Sequence, residues 1–220
     1  MNYRDNSPDP KQISEMRSFQ DYAKDVEDNL YVSKNYYQQK PIKPINFFST
    51  PLWYIEKDLP EGAYEWALDI EKNMKGTEMS NRGGYQSDPL DIMNFKYLNH
   101  IKSMMAFLPK FVFCSMWLNI NKKGNYNIKH THPESDLTCI WYITDNLDKL
   151  IIEDPMYHTR DSLFAAFNIG KGSRIIHAEA GSLVMFPGDI SHWVESHEED
   201  TPRISLSFNI KFDHTSFIVI

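Results

Sequence analysis

Cysteine is scarce in this chain. Cys114 and Cys139 are the only two in 220 residues, and neither belongs to a CxxC pair. Both fall in apolar, strand-like runs, so two buried free thiols in a reducing compartment are expected. Long apolar runs are missing as well. No stretch of 18 apolar residues occurs, so no membrane span is expected. The first 30 residues are polar and hold no apolar h-region, so no signal peptide is expected either. A surplus of positive charge is also absent. The formal charge is −7 and the pI about 5.6, which argues against a nucleic-acid partner, whose binders usually carry a basic stripe. No internal repeat is visible. These absences point to a soluble cytoplasmic protein.

What is present is enough for a core. At 41% hydrophobic and 14% aromatic, the chain suits one domain with a small appendage. Residues 1–44 form that appendage. Ile13, Met16, Phe19, Tyr22, Ala23 and Val26 recur at helical spacing after Ser7-Pro8-Asp9-Pro10, and the polar stretch Tyr31–Pro44 reads as a linker. The helix could dock on the core or on a second copy in a homodimer; its sequence does not decide. Residues 45–220 form the main domain. Ile45–Ile55, broken by Pro51, suits an edge strand. Ala63–Lys75 and Ile92–Leu108 have helical spacing, and Arg82–Ser87 reads as a loop whose paired glycines permit close backbone approach.

From Phe111 the period changes to two. Phe111–Asn121, Leu137–Ile143, Lys149–Asp154, Ser173–His177, Ser182–Phe186, His192–Glu195 and Arg203–Phe212 read as strands. The long connection Met156–Gly172 leaves room for a short helix near Leu163–Phe167. Helices followed by antiparallel strands predict a mainly β (α+β) fold, a jelly roll with the N-terminal helices packed on one sheet.

The chemistry centres on Lys129-His130-Thr131-His132-Pro133-Glu134-Ser135-Asp136. On extended chain, residues i and i+2 share a face, so His130 and His132 can converge on one point. Imidazole is the commonest metal-binding side chain, and His192 supplies a third far downstream. Along the last strand, Arg203, Ser205, Ser207 and Asn209 alternate with Ile204, Leu206, Phe208 and Ile210. A polar face of this kind is either solvated or the lining of a cavity with Arg203 at its inner end. Trp117, Asn119 and Asn121 raise the same alternative on the strand before the histidines. His100 on a helix, His158 in the long connection, and His177, His197 and His214 receive no role.

The order of these pieces resembles the 2-oxoglutarate/Fe(II)-dependent oxygenase superfamily. The match runs through His130-Thr131-His132-Pro133, Ser135–Ile143, Glu153-Asp154-Pro155, Gly181–Pro187, His192 and Arg203–Asn209. Its nearest subgroup is a set of oxygenase-like proteins from marine bacteria and phages. The resemblance covers about residues 45–212 and implies a double-stranded β-helix using Fe(II) and 2-oxoglutarate. The reaction it implies is hydroxylation coupled to oxidative decarboxylation of 2-oxoglutarate. It makes His192 the distal metal ligand and places Arg203 with Ser205 on the far carboxylate of the co-substrate.

The sequence departs from the family at His132, where most members carry a carboxylate. Three ligand sets stay open: His130/His132/His192, a shifted His132/Glu134 with His192, or a remote carboxylate from Glu153 or Asp154. Cys139-Ile140-Trp141 is bulkier than the family pattern and is expected to narrow the cavity. A cupin-like metal protein of other activity and a non-catalytic jelly-roll interaction module are the competing readings. The substrate would be a small molecule or a protein side chain.

Overall fold

The two-residue period after Phe111 exists because strands of one sheet separate two different interiors, while strands of the other separate an interior from solvent. The computed structural model describes residues 50–146, 149–156 and 172–213. The helix and linker expected before residue 45, and the helix expected near 163–167, lie outside those residues.

Among the described residues, eleven strands form two antiparallel sheets. In chain order they are β1 (Trp53–Ile55), β2 (Asn81–Arg82), β3 (Tyr85–Gln86), β4 (Phe111–Asn121), β5 (Tyr126–His130), β6 (Leu137–Tyr142), β7 (Leu150–Glu153), β8 (Ser173–Ile176), β9 (Leu183–Pro187), β10 (His192–Val194) and β11 (Arg203–Phe212). The larger sheet runs β1-β9-β6-β11-β4-β3 and the smaller β2-β5-β10-β7-β8. The helices among the described residues are α1 (Ala63–Asn73) and α2 (Leu98–Met104).

The larger sheet has two buried faces. Met116, Leu118 and Ile120 of β4, with Ile204, Leu206, Phe208 and Ile210 of β11, meet Ala63 and Ala67 of α1 and Ile101 and Met104 of α2 in one core. Fully burying a side chain such as Leu118 or Leu206 contributes about 1.5–3 kcal/mol. On the opposite face, Ile140, Tyr142, Val184 and Phe186 meet Leu150 and Ile152 of the smaller sheet in a second core. The result is a jelly roll with helices on one sheet.

Four local readings change. Cys139 is buried, but Cys114 is exposed. The β4–β11 ladder skips Cys114, pairing Asn209 with Ser115 and Ile210 with Phe113. This bulge reverses the parity of the strand's first turn, so Phe113 faces inward and Cys114 outward. The expected helix Ile92–Leu108 shrinks to Leu98–Met104, because the Asp91 side chain accepts the Met93 and Asn94 amides in an Asx turn. Residues 82–87 are a corner between sheets rather than a loop: β2 pairs with β5, β3 with β4. Finally, Tyr126–His130 is a strand in its own right.

Candidate metal centre

The histidines are brought together by β5 and β10. His192 sits directly across the ladder from His130, while Val194 sits across from Asn127. Three positions on β10 thus oppose four on β5, and the extra residue lets both Asn127 and His130 face inward despite their odd spacing. His132 follows two residues on, anchored by its amide donating to the Gly188 carbonyl at 2.7 Å. A Cβ at Gly188 would collide with the backbone carbonyls of His132 and Ser135, so only glycine lets the turn before β10 approach the histidine loop this closely.

One potential ligand atom from each of His130, His132 and His192 lies within 4.8 Å of the others. The ring centroids are 4.3 Å apart for His130–His192, 5.0 Å for His130–His132 and 5.3 Å for His132–His192. The carboxylates of the other two ligand sets do not join them among the described residues. Glu134 is exposed, and Glu153 pairs with Lys129 at 2.6 Å.

Burial holds all three imidazoles neutral. His192 is pushed down to about 3, by loss of solvent first and His130 second. His132 is lowered to about 4 by the same causes, and His130 is lowered by burial. Neutral imidazole is the form that binds a metal. This has a measurable consequence for the metal-free protein. Below pH 6.5 the unfolded chain takes up these protons and the folded chain does not, so stability falls until the folded values are reached. At pH 5 the penalty is on the order of 2 kcal/mol for His192, less for the more solvated His132. Urea unfolding at pH 7.5 and pH 5 should therefore show a smaller acid loss in His192→Ala than in wild type; equal losses would contradict it.

The same cavity, about 40 Å³, is lined by Trp117, Asn119, Asn121, Tyr142, Arg203 and Ser205 among others. Arg203 is 4% exposed, and neither terminal nitrogen has a hydrogen-bond partner among the described residues. Its pKa is lowered to about 10 by burial, offset in part by Tyr142, so it is charged at neutral pH. A buried, unpaired guanidinium is costly unless an anion joins it. Of the bulky stretch 139–141, only Ile140 lines the cavity. Cys139 and Trp141 turn into the helix-side core, where the Trp141 indole donates to the Gly181 carbonyl at 3.1 Å.

Tyr142, Asn127 and Asn146 also line the cavity, and sequence reasoning gave them no role. The alternation through Ile140 and Tyr142 could have found the tyrosine. Asn127 is placed by the bulge, and Asn146 by a turn, its side-chain nitrogen donating to the Ile176 carbonyl; neither leaves a periodic signal.

No curated protein matches the sequence significantly. Residues 115–209 match the family model described as "Putative 2OG-Fe(II) oxygenase". Among solved structures, the fold is similar to the non-heme alpha-ketoglutarate-dependent epimerase SnoN from nogalamycin biosynthesis. The TM-score is 0.58 at 9% identity, over 74% of this chain and 78% of that one. HygX from Streptomyces hygroscopicus, with nickel and 2-oxoglutarate bound, gives 0.55 at 8% identity, over 74% and 84%. The carbocyclase SnoK from nogalamycin biosynthesis gives 0.52 at 11%, over 74% and 80%. The matched span holds His130, His132, His192, Arg203 and Ser205, and over it the chain is similar to the 2-oxoglutarate/Fe(II) oxygenase family.

Proposed function

We propose that this oxygenase holds Fe(II) with His130, His132 and His192, and holds the far carboxylate of 2-oxoglutarate with Arg203 and Ser205. The observation that carries the reading is Arg203: a buried cation with both terminal nitrogens unpaired, on the wall of the cavity that the three histidines line. Guanidinium pairs with a carboxylate through two parallel N–H bonds, and Ser205 adds a hydroxyl on the same strand face. The Tyr142 hydroxyl is near enough to Arg203 to feel its charge and is a further donor to that carboxylate.

Bound Fe(II) and 2-oxoglutarate would supply oxidative decarboxylation of the oxo acid by dioxygen, coupled to substrate hydroxylation. The chain's own part is orientation and exclusion of water. Ile140 and Val194 line the cavity with apolar surface, and Phe186 sets its ring against His192 at 4.9 Å. The substrate is a small molecule or a protein side chain, and the acidic charge disfavours nucleic acid. No helix among the described residues is long and apolar enough to cross a membrane; we place the protein in the cytoplasm, with a homodimer as one arrangement open to it.

The all-histidine set favours one competitor, a dioxygenase that uses no oxo acid. Arg203 argues against it, since that chemistry gives a buried guanidinium no partner. The test is consumption of 2-oxoglutarate. Fe(II)-loaded protein under dioxygen should turn it into succinate, while metal-free protein should not. Loaded protein that neither binds nor consumes 2-oxoglutarate would refute the proposal.

A further inference from the structure

The three imidazoles are not held alike. His130 and His192 each turn Nδ1 to the carbonyl two residues earlier, Ile128 at 2.7 Å and Ile190 at 3.0 Å. A carbonyl can only accept, so each Nδ1 carries the proton and each Nε2 lone pair is free for a cation. At His132 no carbonyl plays this part among the described residues. Its Nδ1 lies 3.5 Å from the side-chain nitrogen Nδ2 of Asn209 on β11, an amide whose oxygen and nitrogen can exchange places by a half-turn. Trp117 packs beside the ring at 5.6 Å and 34°, which restrains its plane but not its proton.

Asn209 also contacts the Ser115 hydroxyl at 3.1 Å and the Thr138 hydroxyl at 3.3 Å. Rotating the amide by half a turn exchanges its oxygen and nitrogen, and both hydroxyls can donate or accept. With the nitrogen toward His132, Nδ1 must accept, and the ring proton sits on Nε2, where it blocks a cation. With the oxygen toward His132, Nδ1–H donates to it, Ser115 donates to the same oxygen, and the nitrogen donates to Thr138. Both arrangements pair the amide with Ser115 and Thr138, but only the second leaves Nε2 free for a cation.

We propose that Asn209 is a positioning residue: its amide oxygen selects the Nδ1–H tautomer of His132 and so makes the third ligand available. The inference rests on the three-histidine reading above. It supplies what the departure at position 132 requires, because an imidazole, unlike a carboxylate, has a wrong protonation isomer. A carboxylate at 209 would do the same work, since it too can only accept.

The test has two readouts. The tautomer of His132 is read from imidazole nitrogen NMR on metal-free protein, assigned against His132→Ala. Affinity is read by titration with Co(II). In Asn209→Leu, His132 should shift to the Nε2–H form and Co(II) binding should weaken by about 10–100-fold, the usual effect of losing such a support. Asn209→Asp should keep the Nδ1–H form and bind Co(II) at least as tightly as wild type. Thr138→Val, which removes a contact to Asn209 but leaves the amide oxygen to face His132, should weaken Co(II) binding less than Asn209→Leu. Unchanged tautomer and affinity in Asn209→Leu would overturn the proposal, as would equal losses in the Leu, Asp and Thr138→Val variants. Wild type that fails to bind Co(II) would refute the metal site itself, whereas the tautomer, read without metal, still decides the role of Asn209.

Discussion

Alanine at both His130 and His192 should leave the chain unable to hold Fe(II). Anaerobic equilibrium dialysis should give about one Fe(II) per wild-type chain and essentially none for the double variant, because one remaining imidazole is a poor shell for this metal. The single variants separate the ligand sets. His132→Ala should lose most of the iron, while Glu134→Ala should bind like wild type, since Glu134 is exposed and outside the histidine cluster. Damage from Glu134→Ala with a mild His130→Ala would reverse the assignment. Charge adds a second signature. Three neutral ligands leave the full +2 on the metal, so a dianionic co-substrate should bind much more tightly with iron than without it. By reciprocity the co-substrate should tighten iron by the same factor. His132→Asp should hold iron alone at least as well and reduce that mutual reinforcement.

The second large effect is at Arg203. Removing it should raise the 2-oxoglutarate Kd at least tenfold with metal content unchanged, since deleting one partner of a buried charge pair costs about 2–5 kcal/mol. Lysine at 203 should recover part of the loss, because it brings a point charge without the planar fork. The ligand-free protein adds an independent check. Its guanidinium is buried with both ends unpaired, so Arg203→Met should not lower the unfolding midpoint, and should raise it if packing is kept. Equal 2-oxoglutarate affinity in wild type and Arg203→Ala would remove the role assigned here.

The main lines of the fold were legible from residues alone because a buried strand advertises itself by alternation. Phe111–Asn121 and Arg203–Phe212 were read with their observed ends, since both are long and flank turn residues. The i and i+2 spacing of His130 and His132 was enough to predict a shared face, and the alternation through Arg203 and Ser205 placed them together. What alternation cannot carry is a change of parity. The bulge opposite Asn209 turned Cys114 outward, and the bulge in β5 turned Asn127 inward; each depends on how a partner strand is registered. Which candidate ligands lie close together was beyond the sequence for a similar reason. Glu134 and His130 are equally near His132 along the chain, and only the antiparallel pairing of β5 with β10 sets His130 across from His192. The contact of Asn209 with His132 spans 77 positions. Such a contact comes from sheet order, which local periodicity does not encode.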